Sequence, residues 1–300
     1  MILGGPEAGT AFSRLPFDHL LFTGSTPAGR KVMAAASENL VPLTLELGGK
    51  SPAIVARGQV NRRTMESLVF GKLSNGVQTC VTPDYTLVHD DDLDCFIADY
   101  GETVARFYPD GPTSRDHTSV INDRHFARLT GLLDDAWDKG AQVIEAGARP
   151  GTAVARSRTL APTLVVRPPD DCAVMQEEIF GPILPVQTYA TMDEAIAHVS
   201  VRPRFLALYY FGERDTDCDK LLRQTTSGNV GINNTMMHVA QDDLPFGGIG
   251  PSGMGAYHGV EGFRAMSHAK GNFAQGRWNL SALVRAPFGK FAEITSRGVL

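Results

Sequence analysis

Short apolar runs closed by glycine turns alternate with helically spaced segments along most of this chain. Residues 20–23 form an apolar run that ends at a glycine turn of residues 24–29, and residues 30–40 then carry the spacing of an amphipathic helix. Two further apolar runs follow, at residues 43–47 and 51–55, and the pair of glycines between them breaks the strand pattern. The pattern therefore predicts a βα unit followed by two more strands.

The same alternation continues through the middle of the chain. Helices are predicted at residues 65–73, 93–107, 126–139 and 192–199, and strands at residues 85–88, 143–144, 164–166, 183–186 and 206–210. The acidic run of residues 90–92 is predicted to lie in a solvated loop, and the segment after residue 270 to form a tail or arm. Strands that alternate with helices in this way favour an α/β layered fold.

Composition narrows the class of protein. A chain of 300 residues can hold one large or two ordinary domains, and its 43% hydrophobic and 20% charged residues are typical of a soluble globular protein. The formal net charge is -5, and lysines and arginines are scattered along the chain, so the sequence carries no basic footprint for nucleic acid.

Targeting and metal signals are also missing from the pattern. No run approaches the roughly 20 apolar residues that span a bilayer, and residues 1–6 lack the basic start and long apolar stretch of a secretory signal. The cysteines are far apart and form no Cys-x-x-Cys pair, which argues against a disulfide framework and a zinc site; they are Cys80, Cys95, Cys172 and Cys218. We therefore expect a cytoplasmic protein with no membrane span and no bound metal.

Cys80 is the residue with the most informative chemistry. A thiolate attacks carbonyl carbon readily, and a carboxylate such as Glu46, at the end of a predicted strand, can activate the water that later releases the product. Taken alone, Cys80 is more simply explained as a buried structural cysteine, and Glu46 as a surface carboxylate. The surrounding segments decide between these readings.

Three glycine-containing segments gain meaning only in combination. Gly24 and Gly29 fit a Gly-x-x-x-x-Gly spacing at a strand-to-helix turn, where backbone amides can approach a pyrophosphate, although an ordinary tight turn explains them as well. The spacing matches neither a Walker loop nor the Gly-x-Gly-x-x-Gly fingerprint. Glu178 and Phe180 precede a Gly-Pro turn, where a helix-end charge is the plain alternative. Residues 244–255 form a glycine-rich loop.

Taken together and in this order, these segments resemble the aldehyde dehydrogenase superfamily. The matching segments are residues 22–29, 45–52, 78–80, 177–182 and 245–248, which are spread over essentially the whole chain. Two further segments, residues 80–85 and 253–259, are most similar to the coniferyl-aldehyde dehydrogenase branch. The resemblance implies an α/β fold of the aldehyde dehydrogenase kind, with a partial Rossmann-type dinucleotide domain and an α/β catalytic domain.

The resemblance also implies a role for each matched residue. Cys80 would be the nucleophile that forms a thiohemiacetal and then a thioester, its backbone amide would be one oxyanion donor, and Glu46 would activate water for hydrolysis. Asn233 and Phe246 would lie near the substrate funnel. The residues expected to contact NAD or NADP are Gly24, Ser25 and Gly29 at the pyrophosphate, Leu47 at the nicotinamide, Glu178 at the nicotinamide ribose and Phe180 beside it.

The chain departs from the superfamily pattern in two ways. The match begins just ahead of the Gly24 turn, so roughly the N-terminal third of the pattern is absent. That missing third would carry half of the dinucleotide domain, a second oxyanion donor and an oligomerisation hairpin. Val77 stands where the pattern has glycine before Gln78. A β-branched residue resists positive φ at a cost of roughly 1–3 kcal/mol, unless Gly76 absorbs the change.

From the resemblance we expect residues 1–47 to be a remnant of the NAD-binding domain, residues 48–250 the catalytic domain, and residues 251–300 a C-terminal segment with an oligomerisation arm. The expected function is NAD(P)-dependent oxidation of an aromatic or medium-chain aldehyde to the acid, by a homodimer or homotetramer in the full-length form. Two alternatives stay open, a non-catalytic fragment or pseudo-enzyme that acts as an interaction module, and a cofactor-independent thiol esterase. The chain purified as it stands is expected to bind NAD poorly.

Overall fold

The computed structural model describes residues 1, 3–148, 157–279, 281, 285–290 and 294. The α-helices are α1 (Pro6–Phe12), α2 (Thr26–Ser37), α3 (Arg62–Leu73), α4 (Leu93–Phe107), α5 (Asp123–Asp138), α6 (Ala173–Gln176), α7 (Met192–Ser200), α8 (Thr216–Gln224) and α9 (Gly259–Ala265). The strands are β1 (Leu20–Thr23), β2 (Leu43–Glu46), β3 (Pro52–Val55), β4 (Tyr85–His89), β5 (Gln142–Glu145), β6 (Thr163–Val166), β7 (Ile183–Tyr189), β8 (Ala207–Phe211), β9 (Asn229–Ile232) and β10 (Gly253–Met254). Short 3₁₀ turns occur at Ser74–Val77, Asp90–Asp92 and Gly111–Thr113.

The chain divides into two compact units, Met1–Met266 and Ser267–Leu300. Every helix and strand named above lies in the first unit. Among the described residues, no helix is long and apolar enough to cross a membrane.

The larger sheet is built from seven strands in the order β5-β6-β7-β4-β3-β8-β9. All neighbouring strands run parallel except β5 and β6, which are antiparallel. Parallel strands need helical crossovers, and these cover both faces of the sheet. This arrangement confirms the α/β fold that the alternating pattern predicts.

The central strand β3 shows why its sequence is apolar throughout. Ile54 belongs to the core on one face of the sheet, whereas Ala53 and Val55 belong to the core on the other face, and all three are fully buried. The first core takes side chains from α5, α6, α7 and α8, and the second takes them from α3 and α4. A strand covered on both faces reads as a continuous apolar run.

The smaller sheet has three strands in the order β1-β2-β10. Strands β1 and β2 are parallel, and β10 pairs antiparallel with β2 so that Gly253 faces Glu46. Helix α2 covers this sheet through a small core of Leu20, Val32, Ala36 and Val41. The strand that carries Glu46 is thus held by a segment late in the chain, which no local pattern indicates.

Most predicted elements are confirmed, with differences at their ends. The predicted helix of residues 30–40 begins earlier, at Thr26, because the turn before it is shorter than its glycine spacing suggests. The acidic run forms the 3₁₀ turn Asp90–Asp92. Elements without a prediction are α1, α6, α8, α9, β9 and β10. The division into residues 1–47, 48–250 and 251–300 stays a prediction.

Candidate active site

The candidate site lies at the amino-terminal edge of the larger sheet. Cys80 precedes β4, Glu178 precedes β7, and Glu46 ends β2 shortly before β3 begins. Because β3, β4 and β7 are parallel neighbours, their first residues share one edge of the sheet. The three side chains also interact electrostatically, since the Glu178 and Glu46 carboxylates both raise the pKa of the Cys80 thiol.

Cys80 is a free, half-buried cysteine whose side chain packs against the core under α3 and α4. Burial raises the pKa of its thiol to about 11, with smaller contributions from the charges of Glu178 and Glu46. At neutral pH the group is therefore a thiol rather than a thiolate. A nucleophilic role requires a base that takes its proton.

The turn before Cys80 is left-handed over consecutive residues. Asn75, Gly76 and Val77 have φ angles of 52°, 60° and 70°. Val77 is also buried, with 1% of its surface exposed. Gly76 therefore does not absorb the change from glycine to valine, and Val77 itself occupies the strained region.

Gln78 fastens this turn to the rest of the fold. Its side-chain amide nitrogen donates to the carbonyls of Asn75 at 3.1 Å and Ser119 at 3.3 Å. Its side-chain oxygen accepts from the backbone N–H of Ile121 at 2.9 Å. The Cys80 side chain is thus presented by a braced turn, which would suit a group that must be placed accurately.

Glu46 is a buried carboxylate without a partner in the part of the chain that the structure describes. It is 2% exposed, and neither of its oxygens has a hydrogen-bond partner among the described residues. Burial raises its pKa to about 8. Buried carboxylates are ordinarily paired, and one that is unpaired, has a pKa of about 8 and interacts electrostatically with a thiol has the properties of a general base.

Glu178 is the second carboxylate of the site. Burial raises its pKa to about 7, and the charge of Asp84 adds to this effect, whereas a hydrogen bond from the Gly49 backbone opposes it. A Cβ on Gly48 would lie 2.1 Å from one Glu178 oxygen. The absence of a side chain at position 48 therefore leaves the space that the Glu178 carboxylate occupies, and any larger residue there would have to displace it.

A buried ion pair between Lys50 and Asp84 supports the loop that carries Glu178. The Lys50 ammonium also donates to the carbonyls of Val174 at 2.7 Å and Glu177 at 3.0 Å. The other Asp84 oxygen accepts from the backbone N–H of Ile179 at 2.8 Å. Both charged residues lie inside matched sequence motifs, yet their pairing is visible only in the structure.

The start of α2 fits a pyrophosphate group. Ser25 precedes the helix and makes no capping bond with its side chain, and the N–H groups of Thr26 and Ala28 have no partner among the described hydrogen bonds. Free N–H groups at the start of a twelve-residue helix attract anions. Gly24 and Ser25 are exposed there.

Gly29 has a different environment from Gly24. It is buried, and a Cβ at this position would lie 2.6 Å from Leu47 Cδ2. Gly29 therefore allows α2 to pack closely on Leu47, and Leu47 in turn donates its backbone N–H to Ser252 at 3.0 Å. Contact of Gly29 with a phosphate remains a prediction.

Phe180 and Asn233 share a left-handed backbone but differ in location. Phe180, with φ 52°, follows Glu178 at the sheet edge of the site. Asn233 follows β9, so it lies at the opposite end of the parallel strands from Cys80. Its side chain bonds both backbone groups of Gly212, at 2.8 and 2.9 Å. These contacts do not bring Asn233 together with Cys80, and its substrate role remains a prediction.

Phe246 belongs to a layer of rings, defined by Tyr209, His238, Phe246, Tyr257 and His258, beside the catalytic candidates. Phe246 is 2% exposed, and its centroid lies 6.0 Å from His238, 5.6 Å from Tyr257 and 5.2 Å from His258. The charges of Glu46 and Cys80 raise the pKa of Tyr257, after the larger effect of burial. The sequence offered one signal for Tyr257 and His258, because both lie in residues 253–259, one of the segments that resemble the coniferyl-aldehyde dehydrogenase branch.

No group of three or more histidine, cysteine, aspartate or glutamate side chains in the described part of the chain could hold a metal ion.

Comparison with known proteins identifies relatives over nearly the whole chain. The family model described as "Aldehyde dehydrogenase family" matches residues 1–271. A probable coniferyl aldehyde dehydrogenase of Pseudomonas aeruginosa is 50% identical over 290 residues, which are 97% of this chain and 60% of that protein. The chain thus spans about three fifths of the length of this relative.

Two solved structures extend the comparison. The substrate-bound Staphylococcus aureus AldH has a TM-score of 0.86 and 40% identity, and the match covers 99% of this chain and 64% of that one. A Mycobacterium tuberculosis aldehyde dehydrogenase complexed with NAD+ has a TM-score of 0.76 and 30% identity, over 86% of this chain and 53% of that one.

Proposed function

Because this chain belongs to the aldehyde dehydrogenase family, we propose that it contributes to NAD(P)-dependent oxidation of an aldehyde to the carboxylic acid. The observation that carries the proposal is the unpaired, buried Glu46, whose charge acts on the Cys80 thiol. For the substrate we propose an aromatic aldehyde such as coniferyl aldehyde. The similarity to the probable coniferyl aldehyde dehydrogenase of Pseudomonas aeruginosa supports this proposal, as does the layer of rings near Cys80.

The chemistry of the proposed reaction begins with proton transfer from the Cys80 thiol to a carboxylate. The Cys80 sulfur then attacks the aldehyde carbon, so that a C–S bond forms and the carbonyl electron pair moves to oxygen, which accepts a hydrogen bond from the Cys80 backbone amide. When bound, an oxidised nicotinamide would supply the acceptor for the hydride that leaves this carbon. A thioester on Cys80 is the product of that stage.

Release of the acid returns Cys80 to its starting state. Glu46 takes a proton from water, the water oxygen forms a bond to the thioester carbon, and the C–S bond breaks. The carboxylate that took the thiol proton, which in this scheme is Glu178, returns it to the sulfur, and Glu46 gives the proton that it took from water to solvent. Glu46 suits this step because burial brings its pKa to about 8, so that it both accepts and releases a proton near neutral pH.

The residues present fit a dinucleotide. We propose that the exposed Gly24 and Ser25 and the free N–H groups of α2 hold the pyrophosphate, as the uncapped helix start supports. We further propose that Glu178 holds the nicotinamide ribose, with Phe180 beside it and the Leu47 backbone at the nicotinamide. The solved complex of a family member with NAD+ supports this cofactor, and NADP fits the same groups.

A second candidate function is ester hydrolysis without a cofactor. The observation that favours it is that the nucleophile and both candidate bases, Glu46 and Glu178, lie within the same electrostatic site. Acylation of Cys80 by an ester gives the same thioester, and Glu46 would hydrolyse it in the same way.

Because the chain is expected to bind NAD poorly, the experiment that tests the proposal is reduction of NAD or NADP, supplied at high concentration, by the purified chain with coniferyl aldehyde. We expect turnover that is lost in Cys80→Ser and kept in Cys95→Ser, since Cys95 is an exposed cysteine on α4 and serves as the matched control. Hydrolysis of 4-nitrophenyl acetate is measured in parallel. Ester turnover without any aldehyde oxidation would favour the second candidate, and absence of both would refute the proposal.

The partners and location of the protein are proposals as well. We propose a small-molecule aldehyde as the only ligand besides the dinucleotide, and a homodimer or homotetramer for the full-length protein. We propose the cytoplasm as its location, supported by four cysteines that are all free, as expected in a reducing compartment.

A further inference from the structure

Strands β3 and β8 mark the point at which the strand order of the larger sheet changes direction. Strand β3 is followed by α3 and then by β4 on one side of it, whereas β8 is followed by α8 and then by β9 on the other side. Helix α3 packs on one face of the sheet and α8 on the opposite face. The two connections therefore separate as they leave the strands, and open parallel sheets bind ligands in the crevice that this leaves at the carboxyl ends.

The structure has a cavity at this crevice. Its volume is about 370 Å³, which lies in the range of small-molecule sites. The polar side chains that line it come from the segments after β3, β8 and β9, and include Gln59, Asn61, Arg63, Glu213, Arg214 and Asn233. The cavity lies at the start of α3, whereas the turn before Cys80 follows the end of this twelve-residue helix, about 18 Å away. It is thus separate from the candidate active site.

Two asparagines hold the walls of the cavity in place. The Asn61 side chain caps α3 by accepting from the Thr64 backbone N–H at 3.1 Å, and it donates to the Gln59 carbonyl at 3.1 Å. The Asn233 side chain bonds both backbone groups of Gly212, and so ties the end of β9 to the end of β8. The cavity is therefore formed by segments that hydrogen bonds fix, as is usual for small-molecule sites.

The charges in the cavity favour an anionic ligand. Arg63 and Arg214 lie on different elements, and neither has an ion pair or hydrogen bond from its side chain among the described residues, whereas the nearby Arg57 and Arg62 both pair with carboxylates. Two guanidinium groups against the one carboxylate of Glu213 leave the lining with a net positive charge. Arginine forms bidentate hydrogen bonds with phosphate, and an acidic residue at a crevice of this kind accepts from sugar hydroxyls.

We propose that this cavity binds a sugar phosphate, with the phosphate at Arg63 and Arg214 and a sugar hydroxyl at Glu213. The inference does not rest on the proposed function, because the cavity lies at the other end of α3 from the turn before Cys80. A free sugar phosphate and a nucleoside monophosphate present the same groups to these side chains, so the test includes one of each.

The test is calorimetric titration of ribose 5-phosphate, AMP and inorganic phosphate into the full chain, without aldehyde or dinucleotide. We expect the wild-type chain to bind ribose 5-phosphate with a Kd below about 1 mM. Arg63→Gln and Arg214→Gln should each weaken this binding about 10-fold, because each removes charge-assisted hydrogen bonds. Glu213→Ala should bind inorganic phosphate at least as tightly as the wild type, while ribose 5-phosphate loses its advantage over inorganic phosphate.

Arg124→Gln is the matched control. Like Arg63, Arg124 is an exposed arginine in the first turn of a helix, and its side chain has no ion pair in the described part of the chain, but it does not line the cavity. This variant should keep the wild-type affinity. All the substituted side chains are exposed, so each variant should fold, and thermal unfolding checks this.

The outcomes decide the inference without recourse to turnover. Absence of ribose 5-phosphate binding by the wild-type chain overturns it. Binding that survives in both Arg63→Gln and Arg214→Gln also overturns it, since the phosphate would then lie elsewhere, for instance at the start of α2. An equal loss in Arg124→Gln would reduce the binding to overall charge, with the same consequence. If the losses are confined to the cavity variants, the tighter of ribose 5-phosphate and AMP identifies the kind of sugar phosphate. Loss of aldehyde oxidation leaves each of these results unchanged.

Discussion

At Val77 a strained backbone and a well-buried side chain oppose each other. Its φ of 70° lies in the left-handed region, where a non-glycine residue loses roughly 1–2 kcal/mol. Its side chain is 1% exposed, and burial of a valine contributes about 1.5–3 kcal/mol. The packing gain is at least as large as the strain, which explains how valine occupies a position where the superfamily pattern has glycine.

This balance predicts that the glycine variant at position 77 is more stable than the alanine variant, which is the reverse of the order expected within a helix. Val77→Ala loses packing and keeps the strain, whereas Val77→Gly loses slightly more packing and removes the strain, so the glycine variant should be about 1 kcal/mol more stable. Denaturant unfolding of both variants measures the difference. Val69, buried within α3, is the control, because there glycine should be less stable than alanine by about 1 kcal/mol. An alanine variant at 77 that equals or exceeds the glycine variant would contradict the strain.

The two carboxylates near Cys80 predict distinct pH dependences. A base acts only when deprotonated, so the rate should rise with pH through its pKa, about 8 for Glu46 and about 7 for Glu178. If Glu46 is the base, Glu46→Gln should lower the deacylation rate by about 10²-fold or more and abolish the rise near pH 8. Glu178→Gln should keep that rise. The measurement is the pH profile of 4-nitrophenyl acetate hydrolysis, and loss of the rise in the Glu178 variant would assign the base to Glu178 instead.

The sequence indicated the candidate catalytic residues better than the residues that support them. Cys80, Glu46 and Glu178 each stand in a motif, and the structure places them in one electrostatic site. Neither ring nitrogen of His238 has a hydrogen-bond partner among the described residues, and no motif signals this, because it depends on which side chains surround a loop residue. For Val77 the sequence allows two cases, strain at Val77 itself or relief of the strain at Gly76. It does not decide between them, because sequence does not determine φ.

At the scale of elements, the ion pair of Lys50 and Asp84 joins the start of β3, the start of β4 and the loop before β7. The two side chains are 11% and 5% exposed, and together they bind the backbone of Val174, Glu177 and Ile179. A buried pair of this kind is costly to break, because removal of one partner leaves an uncompensated charge.

Lys50→Met is therefore predicted to destabilise the protein by about 3–5 kcal/mol. The exposed pair of Arg57 and Asp91 is the control, and Arg57→Met should change stability by less than about 1 kcal/mol. Urea unfolding measures both. Similar small effects for the two variants would show that the buried pair does not hold the Glu178 loop.

Elements buried on both faces or strongly amphipathic were predictable, and those fixed by distant partners were not. Residues 20–23 and 93–107 were predicted with the bounds that β1 and α4 have, because an apolar run and a helical stripe are local properties. Strand β9 contains Gly231 and lies at the edge of the sheet, so its pattern is weak. Strand β10 exists only through its pairing with β2.

At the scale of the whole molecule, buried ionisable groups make stability depend on pH in opposite directions. The pKa values of Glu46 and Glu178 are raised above the ordinary value of 4.5, so their effect favours the folded state fully below about pH 4.5 and is lost as pH rises from there through the raised values of about 8 and about 7. Lys72 on α3 is fully buried, its ammonium has no hydrogen-bond partner among the described residues, and burial lowers its pKa to about 7.

Lys72 should therefore destabilise the protein as pH falls from its ordinary pKa of 10.5 towards about 7, because the unfolded chain takes up a proton that the folded chain does not. Lys72→Met, which fills the same space without a charge, is predicted to raise stability. Between about pH 8 and 9 the wild-type free energy of unfolding should rise relative to the variant by about 1.4 kcal/mol per pH unit.

Comparing the two proteins at each pH cancels the contributions of the glutamates, thiols and tyrosines that they share. The measurement is urea unfolding at several pH values in this window, with Lys31→Met, at an exposed position of α2, as a control for loss of a lysine. A constant difference between wild type and Lys72→Met would mean that Lys72 binds its proton equally in the folded and unfolded states. In that case the Lys72 ammonium would have a hydrogen-bond partner or a water molecule in solution, and its burial would not cost free energy of folding.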